Sequence, residues 1–423
     1  MYKRFTDNNG LNVIVSPMSQ MASVSIGIWI GVGGRYESDE ESGISHLVEH
    51  MLFKGTHKRS ARGLKEAVEG IGGAFNGFTS DEVTCYMVKV PAKYMELGVD
   101  ILSDMVLNSR LDANDLVSEK FVVCEEIKMY RDQPAEHVLD ILGSIMWPGN
   151  ALGRPLTGTM ATVKSFKRDK LMDFTKDYYQ PANISVVAAG KTNPENLFKY
   201  ASKMFKDTGK KKKHRLKPSK IVQQGSRVKI SRGNTNQTHI AMGFHAEGRN
   251  LRERFALKMM NVILGGNMSS RLFEELREKN GLCYDISSSY KRHSDIGEVH
   301  IHAGVDNKKA SKSVLAILTE LGKIKENSVT PDELKRAKEY AKGQFLIAME
   351  GTSTRMMWLG DRFMVHNDIP KVKDILKYID AVDARDIKEI CGELFRASAV
   401  NLAMISNIDD KEKNIIRKGI DNL

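Results

Sequence analysis

The sequence predicts an α+β protein built twice, as two homologous domains that are each a mostly antiparallel sheet with helices packed on one face. Three observations predict this. The strand-like run Ala22-Ser-Val-Ser-Ile-Gly-Ile-Trp29 has a counterpart in Thr238-His-Ile-Ala-Met-Gly-Phe-His245, and Tyr179 to Ala189 has one in Phe395 to Ile405. Both counterparts are displaced by the same number of residues, as a duplication with little net insertion requires. Strands also fall in hairpin-like clusters between long helices, which argues against a regular βαβ alternation.

In chain order, 22–29 alternates and carries β-branched residues, so it reads as a strand. Helical patterns follow at 44–54 and 62–71, then a strand at 82–90, then helices at 92–108 and 113–130. Pro134 stands just beyond, where a helix stops. In the second half, 252–264, 270–279, 308–327, 331–350 and 384–395 read as helices, with a strand at 285–290. The run from Lys210 to Lys220 lies between the halves and holds no acidic residue. It reads as a solvated linker. The expected division is a first domain at 1–208, a basic linker at 209–222 and a second domain at 223–423.

With 423 residues, 41% of them hydrophobic and 28% charged, the chain has the makings of sizeable globular cores and not of a disordered tail. No apolar run is long enough to span a bilayer and no secretory signal is evident, so no membrane role is expected. The formal charge is +11, much of it in 210–220. Nucleic-acid binding there is the weaker reading, because no aromatic side chains interleave the lysines. The cysteines (Cys85, Cys124, Cys283 and Cys391) are far apart and form no C-x-x-C pair, so they read as reduced, buried thiols and favour a cytoplasmic location.

The chemistry is concentrated in His46-Leu-Val-Glu49-His50. On a helix the two histidines lie one turn apart on one face and can grip one metal ion. Glu49 is placed beside His46, where a carboxylate can take a proton from metal-bound water. A third ligand is sought on the helix at 113–130. Glu119 and Glu126 are seven residues apart there and project from one side, while Glu125 points about a quarter-turn away. Val122, Val123, Cys124 and Ile127 make this helix read as largely buried, and a buried carboxylate needs a partner such as a metal. His300 and His302 share a face of a strand, but no third ligand accompanies them. His239, His245 and His293 read as structural or exposed. Gly31 to Gly34 lacks the Lys-Ser/Thr of a phosphate-binding loop.

These residues resemble the inverzincin zinc metallopeptidases, the family of pitrilysin, insulin-degrading enzyme and the mitochondrial processing peptidase, in its short two-domain bacterial form. The resemblance rests on four stretches: Gly43-Ile-Ser-His46-Leu-Val-Glu49-His50-Met-Leu-Phe-Lys-Gly55-Thr56, Gly72-Gly73-Ala-Phe-Asn76-Gly-Phe-Thr79, Glu119 to Met129, and Ser269 to Tyr284. It implies a zinc-dependent endopeptidase with one Zn2+ per chain. His46, His50 and Glu126 become the zinc ligands, Glu49 the general base and Glu119 the support behind a ligand. The family's Arg and Tyr, seven residues apart, fall on Arg277 and Tyr284 and exclude Arg271. The edge strand Ala74, Phe75, Asn76, Gly77, Phe78 and Thr79 is implied to receive the peptide substrate as an added strand. Many members have Ala where this chain has Gly77, and Gly loosens a strand. A short chain with both the zinc motif and the Arg-Tyr pair resembles members that form homodimers, with a heterodimer with a paralogue as the variant. The rival reading is a non-catalytic subunit that holds peptides or a partner, but such chains typically lose parts of H-x-x-E-H.

Overall fold

The computed structural model describes residues 2–206, 214, 216–233, 235–247 and 250–423. Five residues of the basic run, Lys210 to Lys213 and Arg215, lie outside the described residues. The chain forms two compact units that interleave along the sequence. One comprises Met1–Lys128, Arg154–Lys217 and Leu346–Ile369, and the other Met129–Gly153, Pro218–Phe345 and Pro370–Leu423.

The first unit contains six strands: β1 (Lys3–Thr6), β2 (Asn12–Pro17), β3 (Ser23–Ile30), β4 (Ala74–Thr79), β5 (Thr84–Pro91) and β6 (Ile184–Gly190), in the order β1-β2-β6-β3-β5-β4. Among the described residues of this unit only β2 and β6 run parallel. The second unit contains β7 (Arg227–Ser231), β8 (Thr238–Ala246), β9 (Cys283–Arg292), β10 (Gly297–Val305) and β11 (Asn401–Ile405), in the order β7-β11-β8-β10-β9, with β11 and β7 parallel. Dropping β1, the two orders are the same topology, so the duplication read from the sequence is a duplication of the sheet. The fold is α+β in two domains, as expected.

Helices cover one face of the first sheet. Among them are α1 (Ile44–Leu52) and α2 (Met95–Asn108), whose Leu47, Met51, Val99 and Leu102 bury against Ile26, Ile28, Tyr86 and Val88. Next come α3 (Ala113–Asp132) and α4 (Pro134–Met146). Pro134, the expected stop, is the first residue of α4, where its missing N–H costs nothing. The structure adds a helix on the opposite face of each sheet. In the first unit, Met356, Leu359 and Phe363 of a helix at Thr352–Met364 pack on Trp29, Cys85 and Val187. A Cβ at Gly360 would sit 2.0 Å from the Trp29 ring, so only glycine permits that approach. Strands buried on both faces lose their alternation, and every residue of β6 is buried.

In the second unit α4 does the same for its sheet, through Val138, Leu142 and Met146 against Ala241 and Ala403. A polar lock follows the helix. The Trp147 indole N–H donates to Glu298 Oε2 at 2.8 Å, and His300 Nε2 lies 3.5 Å from the same carboxylate. Burial alone would raise the Glu298 carboxyl, but the His293 and His300 rings beside it, at 3.7 and 3.5 Å, more than offset this and hold it far below the usual carboxylate range. With the folded value depressed, the unfolded chain binds the extra proton below about pH 4.5, and this stabilisation is lost as the pH falls further. Glu298→Gln is therefore expected to lower stability at neutral pH by about 1–3 kcal/mol. In thermal melts the gap to wild type should narrow below about pH 4.5, and a gap constant down to pH 3 would contradict this account.

Candidate metal centre

The helix α1 starts on Gly43, whose φ of 91° is a left-handed conformation that suits glycine. A distant side chain serves its first turn. The Glu37 carboxylate accepts the Gly43 and Ser45 N–H groups, each at 2.8 Å, and is itself buried. Leu47, Val48 and Met51 bury against the core, and this fixes the rotation of α1, turning His46 and His50 together to one side with ring centroids 4.6 Å apart.

Opposite them stands Glu126 of α3. Its Oε2 lies 3.7 Å from His46 Nε2 and 3.6 Å from His50 Nε2. Among the described residues this is the one group of three His, Cys, Asp or Glu whose ligand atoms all lie within 4.8 Å of one another. Tetrahedral coordination at bonds of about 2.0–2.1 Å would separate ligand atoms by roughly 3.4 Å, so the residues fit a zinc ion with little movement. The charges fit as well. Burial, then His50, brings His46 down to about 4, so it is neutral with a lone pair to give at physiological pH. Burial holds the carboxyls of Glu126 and Glu49 above their ordinary range. Burial opposes it, but Glu119 and then Glu126 and Glu49 hold the His50 imidazole above its ordinary range.

Glu119 is buried behind His50. Its Oε2 is 3.1 Å from His50 Nδ1, and its Oε1 is ion-paired with Lys54. Glu125 faces away, with its side chain 70% exposed and paired to Lys128 at 2.6 Å. The expectation that Val122 is buried is corrected. Leu116, Val123, Cys124 and Ile127 are buried, but Val122 is 49% exposed and Phe121 is 68% exposed. The apolar run is wider than the face α3 buries.

Glu49 reaches across to β4, where Thr79 Oγ1 donates to its Oε2 at 2.7 Å. A Cβ at Gly77 would meet Glu49 Oε1 at 2.8 Å and the Phe53 ring at 3.0 Å, so the glycine at this position makes room for the carboxylate. At the end of the first sheet, β4 pairs with β5 alone among the described residues. Ala74 and Asn76 are exposed, and Phe75, Gly77, Phe78 and Thr79 are half-buried.

Arg277 and Tyr284 belong to the second unit and lie together. The segment predicted as a helix at 270–279 contains a π-helical stretch over Phe273–Lys279. The Arg277 guanidinium stacks over the Phe273 ring at 4.7 Å and over the Tyr284 ring at 4.8 Å. Tyr284 is 76% exposed. Arg271 makes two hydrogen bonds to Glu333, at 2.8 and 3.0 Å. Lys54, Phe273 and the Thr79–Glu49 bond were not foreseen. A partner distant in sequence leaves no local pattern, although a cation just past the end of α1 is favoured by the helix dipole.

Two family models match. Residues 13–160 match Insulinase (Peptidase family M16), and residues 165–340 match the Peptidase M16 inactive domain. His46, Glu49, His50 and Glu126 all lie in the first. The chain is 35% identical over 408 residues to the uncharacterized zinc protease YmxG of Bacillus subtilis, covering 96% of this chain and 98% of that protein. It is 30% identical over 424 residues to an uncharacterized zinc protease of Streptomyces coelicolor, covering 99% and 92%. Among solved structures, a protease from Helicobacter pylori superposes with a TM-score of 0.90 at 22% identity, covering 96% of this chain and 100% of that one. A peptidase M16 inactive domain from Pseudomonas fluorescens superposes with a TM-score of 0.88 at 14% identity, covering 97% and 98%. Fold and matched relatives thus define a peptidase-like class of protein. The chain belongs to peptidase family M16, the inverzincin family whose motifs it carries. No helix among the described residues is long and apolar enough to cross a membrane.

Proposed function

We propose that this chain is a zinc-dependent endopeptidase that hydrolyses unfolded peptides or precursor segments, with one zinc per chain. The observation that carries the reading is the convergence of His46, His50 and Glu126, with Glu49 held beside them by Thr79. Zinc held by those three ligands supplies a Lewis acid that acidifies water and polarises a carbonyl. Glu49 takes the proton of the attacking water and hands it to the leaving amine. Thr79 orients Glu49 by occupying Oε2, which leaves Oε1 over Gly77 as the basic atom. Glu119 orients His50. Arg277 and Tyr284 donate hydrogen bonds to the oxyanion of the substrate.

The exposed edge of β4 supports a substrate bound through its backbone, with Ala74 to Thr79 pairing an extended peptide, so selection by side chain is broad. The four cysteines are free and buried, which supports residence in the reducing cytoplasm. The test is digestion of a mixed peptide library by zinc-replete protein. Cleavage at many sequences is expected, lost on chelation and regained with zinc. Zinc-replete protein that cleaves nothing would leave the peptide- or partner-holding subunit as the better reading.

The chain is further proposed to work as a homodimer in which Arg277 and Tyr284 serve the zinc of the other subunit. Mixing Glu49→Gln with Tyr284→Phe subunits should then restore up to about a quarter of wild-type turnover, because one site in each mixed dimer has both parts intact. Mixed dimers that form without any rescue would rule out this sharing, and a heterodimer with a paralogue would show as a chain that is inactive alone and gains turnover, lost again in Glu49→Gln, only with that partner.

A further inference from the structure

We propose that Lys54 is a positioning residue of the metal centre, acting on His50 through Glu119. This rests on the reading of His46, His50 and Glu126 as metal ligands. Glu119 is 4% exposed, and its two oxygens are divided between two partners. One is ion-paired with the Lys54 ammonium, and the other is 3.1 Å from His50 Nδ1. A carboxylate that far out of water needs both. With Lys54 in place the anionic form is satisfied at Oε1, so Oε2 is free to accept the His50 Nδ1–H. That bond fixes the ring tautomer and leaves the Nε2 lone pair facing Glu126, 3.6 Å away. Without the ammonium, Oε1 has no partner among the described residues, the carboxylate is no longer held in its present orientation, and the ring loses its anchor.

The placement of Lys54 follows from the end of α1. Phe53 caps the helix and the Lys54 N–H bonds to the Met51 carbonyl, so the side chain leaves from the turn just below His50. One short segment therefore supplies the ligands His46 and His50 and also the cation that sets the second of them. Lys54 is 35% exposed at its side chain, so it touches solvent and Glu119 without entering the ligand set.

The experiment measures zinc dissociation constants by chelator competition, with melts of metal-free protein as a check on folding. Lys54→Met is expected to weaken zinc binding by roughly tenfold or more, within the range typical of groups that orient ligands. Lys54→Arg, which keeps the charge and a donor, should recover most of the loss. If Lys54 acts through Glu119, the double variant Lys54→Met/Glu119→Gln binds zinc no more weakly than Glu119→Gln alone. Two losses that simply multiply would show a separate, structural effect and overturn the proposal. Folded Lys54→Met with a dissociation constant within about twofold of wild type would overturn it too. Should Lys54→Met not fold, Lys54→Gln carries the same test with the same two outcomes. Wild-type protein that binds no zinc fails the underlying reading and this one together, whereas wild-type binding with an unaffected Lys54→Met fails this one alone.

Discussion

Glu49→Gln is expected to keep its zinc and lose peptide turnover by about two to four orders of magnitude, the usual contribution of a positioned general base. The argument begins with shape. Gln fills the same volume, and its amide oxygen can accept the Thr79 hydroxyl that now bonds Glu49 Oε2 at 2.7 Å. The other end of the group, over Gly77, becomes an NH2 that donates and cannot take a proton. The proposed ligands are His46, His50 and Glu126, whose ligand atoms lie within 4.8 Å of one another, so on this reading the affinity for metal has no direct dependence on Glu49. Zinc stoichiometry by elemental analysis and turnover of a cleaved peptide are measured on the same preparation. A variant that loses zinc would make Glu49 a ligand, and one that keeps turnover would take the proton transfer away from it.

The parts of this fold legible in the sequence are those written in local pattern. His46 and His50 are one helical turn apart, and a helix there must put them on one face. The shared displacement of two strand pairs predicts a repeated sheet, and the two sheets have the same strand order. Other features depend on contacts that local pattern does not encode. The apolar content of 352–364 suits a buried helix, yet nothing in it says which sheet it covers, and no helix was expected there. The fit of Gly360 on Trp29 becomes visible only when both are in place. A helix was predicted at 270–279, but apolar spacing over so few residues does not distinguish an α-helical turn from a wider π turn. That turn brings Phe273 under Arg277. The exposure of Val122 has the same cause. Composition marked the residue as apolar, but the rotation of α3 is set by Leu116, Val123 and Ile127, which fill the core first. The site divides in the same way. The proposed ligands on α1 follow from spacing and the proposed third from a family pattern, while Lys54 and Thr79 enter only through side chains that meet across the fold.

Glu126→Ala is expected to weaken zinc binding by roughly a hundredfold or more, the second large effect. Structural sites of four ligands hold zinc by about 10–16 kcal/mol, so one ligand carries about 3 kcal/mol, and every 1.4 kcal/mol is a factor of ten. The neighbouring carboxylate supplies the control. Glu125 belongs to the same helix and carries the same charge, but its side chain is 70% exposed and bonded to Lys128. Glu125→Ala should leave zinc affinity unchanged, because a charge in open water is screened at that distance. Glu119→Gln should fall between them, at about ten- to a hundredfold, since it removes the anchor of His50 and leaves all three ligands. The order of the three dissociation constants separates coordination from bulk electrostatics. If the negative charge of α3 simply attracted cations, Glu125→Ala and Glu126→Ala would cost the same. If Glu119 were the ligand and Glu126 its support, the two larger effects would exchange places. Chelator-competition titrations of the three variants, made at equal ionic strength, resolve these orders, and only the sequence Glu126, Glu119, Glu125 agrees with Oε2 of Glu126 standing 3.6 and 3.7 Å from the two imidazole nitrogens.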